Sequence, residues 1–371
     1  MAIKKLKRNK STCPADNLIN EYFIESRDIL SGHLCDLFNK VFISGVFPET
    51  WSQGFIIPLH KKGSESDVSN YRGITLLSNL GKLFSSILNT RVEKWYNKYD
   101  LLTDAQFGFR KDHSTTDAIF ILHSLIEKCL SNKHRLYCAF IDLKKAFDSI
   151  YRNALWYKLF NMGLDGRILV MFKSMYNIVK SCVKHNNKVS DFFDIAVGLR
   201  QGQTNSPTFF ALFLNDLESS LRRDTSCGLS INEICIMILL FADDMVIFGK
   251  TIDELQNSLD LLHQYCNKWG LEVNTNKTKI VVFRKRGRIK NDEVWRYNGE
   301  LLCTVDDFNY LGVTFNYTGT FILNTKCIKS KALKAMYILL NNVKKIEVQP
   351  QLAVQLFDSF VGSILNYGCP V

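Results

Sequence analysis

Three aspartates lie where short apolar runs end, and carboxylates in such positions can hold metal ions. Asp142 closes the run 137–142, and Asp243 and Asp244 lie in the turn of an apolar hairpin. A carboxylate beside buried strands is costly unless a cation accompanies it. Two such carboxylates brought together could bind two Mg²⁺ ions about 3.5–4 Å apart, the arrangement used for in-line phosphoryl displacement. The alternative for Asp243 and Asp244 is a polar hairpin turn without chemistry.

The elements that must position these aspartates are helices and strands in alternation. Short apolar runs predict strands at 54–60, 137–142, 231–240, 245–248, 279–283, 294–303 and 308–315. Apolar residues at helical spacing predict helices at 16–45, 75–97, 114–131, 143–160, 207–223, 253–269 and through the last fifty residues. Helices mixed with short strands and hairpins indicate an α+β fold.

The composition favours a globular protein with a polyanionic partner. The chain has 371 residues, of which 46% are apolar, so it can bury a normal core. A net charge of +11 favours nucleic acid before a membrane, and the alternative is a merely soluble basic protein. The sequence has no uncharged apolar stretch of the roughly 18 residues that a membrane-spanning helix needs. Its eleven cysteines are scattered singly, which predicts buried thiols in a reducing, intracellular compartment rather than a disulfide framework.

Ordered segments around the aspartates resemble the motifs of reverse transcriptases. Residues 140–148, 198–207, 241–244 and 270–279 resemble the four palm motifs, and 310–313 resembles the primer-grip hairpin. Upstream, 56–63 and 70–77 resemble the fingers motifs. Residues 106–110, followed by 114–118, are similar to the segment that marks non-LTR (LINE-type) retrotransposon enzymes. The resemblance covers about residues 50–371.

The resemblance implies a right-hand polymerase with a palm of antiparallel strands backed by helices. Its parts are expected at 1–50 (a basic arm and helical N-terminal extension), 51–136 with part of 150–200 (fingers), 137–315 (palm) and 316–371 (partial thumb). The acidic residues of the first fifty positions are scattered along predicted helices, which is typical of solvated helix surface rather than a nuclease site. We therefore interpret the chain as part of a longer element protein or a degraded copy.

The implied activity is that of an RNA-directed DNA polymerase of a non-LTR retrotransposon, a nucleotidyltransferase that extends a primer 3′-hydroxyl on an RNA template. Two Mg²⁺ ions are the expected cofactors, which Mn²⁺ could replace. The expected partners are an RNA template, a DNA or RNA primer and deoxynucleoside triphosphates, in the nucleus or cytoplasm and away from membranes. The alternatives are a group II intron-type reverse transcriptase and an RNA-binding remnant with a decayed polymerase fold.

The resemblance also assigns roles around the metal ions. Asp142 and Asp243 are expected to bind both metals, with help from the backbone carbonyl of Leu143 and support from Asp244. Lys277 is expected to protonate pyrophosphate as a general acid, although the neighbouring Lys279 is an alternative.

Nucleotide binding is expected from residues that precede and follow the first palm motif. Lys61 and Arg72 would hold the triphosphate, the latter through its planar fork. Phe147 would lie beneath the sugar and exclude a 2′-hydroxyl, and Gln201 with Gly202 would present free N–H groups at a helix start. The alternative for Lys61 is an exposed turn lysine, and the alternative for Arg72 is a surface ion pair. Phe147 could instead be a core phenylalanine within or beside a helical turn, and Gln201 with Gly202 could form an ordinary loop and helix cap.

Template and primer contacts complete the expected site. Gln106 to Arg110 would support the template strand, with a helix-entry turn as the alternative, and Tyr310 and Gly312 would contact the primer. Lysines of the thumb are expected on the nucleic-acid backbone, with a solvated helix face as the alternative, and these are Lys326, Lys329, Lys331, Lys334, Lys344 and Lys345. The chain departs from the usual non-LTR pattern at 203–205, where Gln-Thr-Asn stands in the nucleotide-binding loop and puts fidelity and rate in doubt.

Overall fold

Helices and strands alternate along the chain in a computed structural model that describes residues 2–61, 63–186, 188–222, 229–231, 234–346 and 348–369. The α-helices are α1 (Asn20–Glu25), α2 (Arg27–Ser44), α3 (Glu49–Ser52), α4 (Asn79–Lys98), α5 (Thr115–Ser131), α6 (Arg152–Asn161), α7 (Gly166–Asn177), α8 (Ser206–Phe213), α9 (Leu217–Arg222), α10 (Ile252–Trp269), α11 (Ile322–Ile346), α12 (Pro350–Phe357) and α13 (Ser363–Leu365). A π-helical turn, Asp358–Gly362, joins the last two.

The strands are short and fall into several sheets. They are β1 (Gly54–His60), β2 (Tyr71–Leu77), β3 (Leu136–Asp142), β4 (Lys180–His185), β5 (Lys188–Val189), β6 (Phe193–Asp194), β7 (Leu229–Ile231), β8 (Ile234–Ile236), β9 (Ile238–Phe241), β10 (Asp244–Gly249), β11 (Lys279–Phe283), β12 (Arg296–Tyr297), β13 (Glu300–Leu301), β14 (Cys303–Val305), β15 (Asp307–Tyr310) and β16 (Val313–Asn316). This mixture is the α+β architecture that the sequence predicts.

The chain forms two compact units. The first unit comprises residues 1–103, 144–215 and 269–272, and the second comprises 104–143, 216–268 and 273–371. Neither unit is one continuous stretch, because the chain passes between them several times. The predicted division into fingers, palm and thumb is not tested by these units and stays a prediction.

The second unit is built on a five-stranded sheet in the order β14-β11-β3-β10-β9. Its central strand β3 is an unbroken apolar run, and all of its residues except Asp142 are buried, as expected for a strand covered on both faces. Helix α5 packs into the same core through Leu122 and Leu125. A capping box begins that helix where predicted: Ser114 Oγ accepts from the Asp117 N–H, and Asp117 accepts from the Ser114 N–H.

The first unit contains the other large sheet, in the order β2-β1-β4-β5, with β6 beside β4. Strands β1 and β2 form an antiparallel hairpin that pairs Gly54 with Leu77 and His60 with Tyr71. Strand β4 joins β1 in parallel. The rings of Phe38, Trp51 and Phe84 pack together in the adjoining core, with centroids 5.4–6.1 Å apart.

Four predicted helices have different bounds in the structure. The predicted helix 16–45 begins only at Asn20 and is interrupted at Ser26, so it forms the two helices α1 and α2. The predicted helix 143–160 begins only at Arg152, because residues 144–149 form turns and Lys145 has a left-handed backbone (φ +45°). Residues 75–77 belong to β2, and α4 begins after Ser78, which caps it by accepting from the Gly81 N–H. The predicted helix 207–223 is divided into α8 and α9, and position 223 lies outside the described residues.

The predicted strand 231–240 is also interrupted. Strands β8 and β9 are separated at Met237, and Asn232 and Glu233 lie outside the described residues. The prediction of buried thiols is confirmed for Cys13, Cys129, Cys138, Cys182 and Cys266, and it is wrong for Cys35, Cys303 and Cys369, which are exposed. Among the described helices, none combines the length and apolarity that crossing a membrane requires.

Candidate active site

The three predicted metal-binding aspartates lie at one end of the sheet in the second unit. Strand β10 runs antiparallel to β3 in a register that sets Asp244 opposite Asp142. Asp243 precedes β10 in the tight turn that follows β9, where Ala242 has a left-handed backbone (φ +58°). Asp244 is therefore the first residue of the strand rather than part of the turn. Two strands that are distant in sequence thus bring the carboxylates together.

The segment that follows α10 forms hydrogen bonds with both backbone groups of Asp142. The Asp142 N–H donates to Thr278 Oγ1 (3.2 Å), and its carbonyl accepts from the Asn274 N–H (2.7 Å). Lys277 Nζ lies 3.6 Å from Asp142 Oδ2, and Leu143 forms an antiparallel bridge with Val273. Sequence reasoning assigned no role to Asn274 or Thr278, although both lie in the motif 270–279.

The electrostatics of these carboxylates favour a cation. Desolvation, together with the negative charges of Asp243 and Asp142, raises the pKa of Asp244 to about 6. A divalent ion would relieve this repulsion, and the oxygen donors suit a hard cation. In the described part of the chain, no three His, Cys, Asp or Glu side chains gather around one point. One or two carboxylates with phosphates and water are nevertheless the usual ligands of Mg²⁺.

Gln106 braces the turn that carries Asp243. Its side chain is only 1% exposed, and its Oε1 accepts from the N–H groups of Gly108 (2.9 Å) and Ala242 (3.4 Å). The Phe107 N–H also donates to the Leu240 carbonyl (2.8 Å). The predicted support of the template strand by Gln106 stays a prediction, and its burial means that the side chain would act through the backbone of this segment. The amide stabilises the backbone of the aspartate turn.

Arg110, also predicted at the template, is partly buried. Its Nη1 lies 3.5 Å from Asp104 Oδ1. The predicted helix-entry turn alternative fits this segment as well, since Arg110 precedes the capping box of α5. Its contact with a template stays a prediction.

The predicted primer-contacting residues lie at the β15–β16 hairpin. The Tyr310 side chain is 2% exposed, with its ring 5.7 Å from that of Phe140, so a direct primer contact of this side chain is not supported. Desolvation and the charge of Asp244 raise the pKa of its hydroxyl. The turn itself has left-handed Leu311 and Gly312, and Tyr367 donates to the Leu311 carbonyl (2.6 Å).

In the first unit, Gln201 is paired with an acidic side chain. Its amide nitrogen lies 3.0 and 3.3 Å from the two carboxylate oxygens of Asp148. Desolvation raises the pKa of Asp148, whereas the hydrogen bond from Gln201 and the charges of Lys145 and Arg72 oppose that rise. Arg72 and Gln201, two predicted nucleotide-binding residues, thus share Asp148 as a neighbour. Lys61 is exposed in the β1–β2 connection, and its neighbour Lys62 lies outside the described residues.

Gly202 and Phe147 have distinct surroundings. Gly202 has φ +106°, and a Cβ there would lie 2.6 Å from the Thr75 carbonyl oxygen, so only glycine fits. Phe147 lies in a turn rather than in a helix, is half-buried and stacks on Phe210 with ring centroids 4.5 Å apart. Both the predicted sugar-contacting role and the core alternative remain open for this ring.

The unusual residues 203–205 lie mostly inside the first unit. Gln203 and Asn205 are buried, and Thr204 is exposed. Their buried side chains face the protein interior, so this departure from the family pattern affects packing before α8 more directly than it affects a nucleotide.

The comparison with known families agrees with these arrangements. The model of the family described as reverse transcriptase (RNA-dependent DNA polymerase) matches residues 59–315, more than half of the chain. The chain belongs to the reverse transcriptase family. Both the Asp142 strand and the Asp243 hairpin lie within the matched region.

Curated relatives come from non-LTR elements. The chain is 26% identical over 347 residues to "RNA-directed DNA polymerase from mobile element jockey" of Drosophila melanogaster, covering 90% of this chain and 37% of that protein. It is 26% identical over 390 residues to the "probable RNA-directed DNA polymerase from transposon BS" of the same species, covering 100% and 41%. The chain therefore spans about two fifths of the length of these relatives.

A relative from another element and a solved structure extend the comparison. The R2 element polyprotein of Nasonia vitripennis is 26% identical over 293 residues, covering 76% of this chain and 28% of that protein. The structure of apo telomerase from Candida tropicalis superimposes with a TM-score of 0.50 at 15% identity, covering 84% of this chain and 62% of that one. At this identity the superposition establishes the polymerase fold alone.

Proposed function

We propose that this chain is the RNA-directed DNA polymerase of a non-LTR retrotransposon and extends a primer 3′-hydroxyl on an RNA template. The observation that carries the proposal is the register of β3 and β10, which sets Asp142 opposite Asp244 beside the turn with Asp243. Nucleotidyl transfer needs carboxylate oxygens in such a cluster. Membership of the reverse transcriptase family and the names of its relatives support the same reaction.

We assign metal binding to Asp142 and Asp243, with the Leu143 carbonyl as a further ligand and Asp244 in support. Mg²⁺ is the expected ion, and Mn²⁺ is expected to replace it, since both accept oxygen ligands. When bound, such ions lower the pKa of the primer hydroxyl and neutralise the departing pyrophosphate. Lys277, 3.6 Å from Asp142, supplies positive charge to the cluster, and its exposed ammonium group could also protonate pyrophosphate.

We assign binding of the incoming deoxynucleoside triphosphate to residues of the first unit. Arg72 would hold the triphosphate through its planar guanidinium and Lys61 through its ammonium group. Gln201, oriented by Asp148, would contact the nucleotide beside Gly202, where the absence of a Cβ leaves the backbone open to approach. Phe147 would lie beneath the sugar and favour deoxynucleotides.

The remaining partners follow from this reaction. An RNA template and a DNA or RNA primer are the expected nucleic acids, in keeping with the net charge of +11. We place the activity inside the cell, in the nucleus or cytoplasm, where RNA and deoxynucleotides are available.

Primer extension on an RNA template with Mg²⁺ tests the proposal. We expect Asp142→Asn and Asp243→Asn each to lower extension at least about 100-fold while the thermal midpoint stays near that of the wild type, because each removes a charged metal ligand. Asp244→Asn should have a milder effect. The matched control is Asp307→Asn, an exposed aspartate of the same unit, which should extend normally.

Two outcomes would contradict the proposal. Equal extension by the wild type and both metal-ligand variants would show that the activity comes from a contaminating polymerase or another site. Tight RNA binding by a folded wild-type chain that never extends a primer would favour the RNA-binding remnant instead.

A further inference from the structure

Phe109 has an unusual backbone and an unusual exposure for an aromatic residue. Its φ is +60°, in the left-handed region that residues with a Cβ rarely adopt. Its side chain is 53% exposed, so burial of the ring does not offset this backbone strain. Phe107, two positions earlier, is buried and lies 5.5 Å from the ring of His113. Strained residues that the surrounding structure holds in place are concentrated at functional sites.

The residues that precede Phe109 contact the aspartate turn directly. A Cβ on Gly108 would lie 2.3 Å from the Ala242 N atom, so the chain at this position touches the turn backbone directly. Gln106 accepts hydrogen bonds from the N–H groups of both residues. Phe109 follows immediately after this contact. The exposed ring of Phe109 is therefore carried by the residue next to this contact with the turn that precedes Asp243.

The chemistry around Phe109 favours stacking over ionic attraction. The flanking cations are paired with acids, since Arg110 lies 3.5 Å from Asp104 and Lys111 lies 3.6 Å from Asp112. An exposed ring on the segment that contacts the aspartate turn can instead offer its face to a nucleic-acid base. Bases within a duplex already stack on each other, so the exposed face of the Phe109 ring suits an unpaired base.

We propose that Phe109 is a stacking surface for an unpaired nucleic-acid base at the aspartate turn. The inference rests on the proposed polymerase function and assigns a specific contact to one residue of the segment 106–110, which the family resemblance places at the template strand. The base could belong to the single-stranded template ahead of the primer or to the incoming nucleotide, and both present the same aromatic face.

Binding measurements without nucleotide test the template source. Fluorescence anisotropy compares an RNA–DNA hybrid that has a 5′ RNA overhang with a blunt hybrid. We expect Phe109→Ala to weaken binding of the overhang hybrid about tenfold and to leave the blunt hybrid unchanged. The dependence of affinity on salt should keep its slope, because no phosphate contact is lost. Phe109→Trp should retain binding.

The chain offers a matched control in Phe120, which is 54% exposed on α5 of the same unit. Phe120→Ala should bind both hybrids as the wild type does. An abasic nucleotide placed successively along the overhang should abolish the difference between wild type and Phe109→Ala at one position. If Phe109→Ala binds the overhang hybrid as the wild type does but has a KM for deoxynucleotides about tenfold higher, the stacked base is that of the incoming nucleotide.

A stability measurement separates this role from a structural one. Glycine adopts φ +60° without strain, so Phe109→Gly should raise the thermal midpoint while it weakens binding. The stacking inference is overturned if Phe109→Gly melts below the wild type, or if Phe109→Ala matches the wild type in overhang binding and in KM. It is also overturned if both hybrids weaken equally. A wild-type chain that binds hybrids but never extends them contradicts the proposed function, whereas a wild type that binds no hybrid contradicts both.

Discussion

The amide nitrogen of Gln201 lies 3.0 Å from one carboxylate oxygen of Asp148 and 3.3 Å from the other. Since the nitrogen is committed to the carboxylate, the amide oxygen of Gln201 is directed away from Asp148. Asp148 also lies within the electrostatic reach of Arg72. The hydrogen bonds to Asp148 therefore fix the orientation of the Gln201 side chain, which we place at the nucleotide.

We predict that Asp148 acts as a positioning residue for Gln201. Asp148→Ala should raise the KM for deoxynucleotides about tenfold with a smaller effect on kcat, because the amide loses a charge-assisted hydrogen bond. Gln201→Ala should have a similar effect, and the double variant should be little worse than either single variant. Steady-state primer extension measures all three. Asp191→Ala, at an exposed aspartate of the same unit, is the control, and additive effects of the two changes would contradict the coupling.

Phe147 provides a test of sugar selection. If the ring lies beneath the sugar, Phe147→Val should raise ribonucleotide incorporation relative to deoxynucleotide incorporation by about tenfold or more. The control is Phe210→Val, which truncates the fully buried ring that stacks on Phe147. That change should cost roughly 2 kcal/mol of stability and leave sugar selection unchanged. A Phe147→Val chain that unfolds, or that loses both substrates equally, would support the core alternative.

The raised pKa of Asp244 predicts a pH-dependent stability in the absence of divalent ions. The folded pKa is about 6 against an ordinary value of 3.8, so the folded state binds this proton more tightly than the unfolded chain does. The resulting stabilisation is complete below about pH 4 and is lost as the pH rises through about 6. In EDTA, Asp244→Asn should therefore melt above the wild type at pH 7.5, and this difference should shrink toward pH 4.

Thermal melts in EDTA at both pH values provide the measurement, with Asp307→Asn as a control that should show no such trend. Addition of Mg²⁺ should reduce the difference at pH 7.5, because an ion that binds only the folded wild type stabilises it. If Asp244→Asn raises the thermal midpoint by the same amount at both pH values, carboxylate repulsion is not the cause of the increase.

The lysines of α11 test the predicted thumb contact with nucleic acid. Lys331 and Lys334 are exposed, as are Lys326, Lys329, Lys344 and Lys345. Replacing both Lys331 and Lys334 by Gln should weaken binding of an RNA–DNA hybrid and flatten the plot of log affinity against log salt by roughly one unit per lost phosphate contact. The same change at Lys94 and Lys98, exposed on α4, is the charge-matched control. If both double variants show the same slope of log affinity against log salt, Lys331 and Lys334 lie on a solvated helix face and contact no phosphate.

Much of the fold could be predicted from the sequence because its signals are local. The unbroken apolar run before Asp142, the hairpin around Asp243 and the Ser114 cap each depend on neighbouring residues, and each has the predicted structure. The wrong start of the predicted helix 143–160 also has a local cause. Apolar residues after Asp142 have helical spacing, but residues 144–149 form turns, a backbone choice that apolar periodicity does not encode.

Side-chain direction and burial were decided only by the tertiary structure. Gln106 and Ala242 are 136 residues apart, and Asp148 and Gln201 are 53 apart. The sequence by itself determined which residue types could do the chemistry: the aspartates, the basic side chains and the aromatic rings. It could not show that Gln106 and Tyr310 are buried or that Phe109 is exposed. Those outcomes depend on which distant segments pair, and a side chain's partners exist only once that pairing has formed.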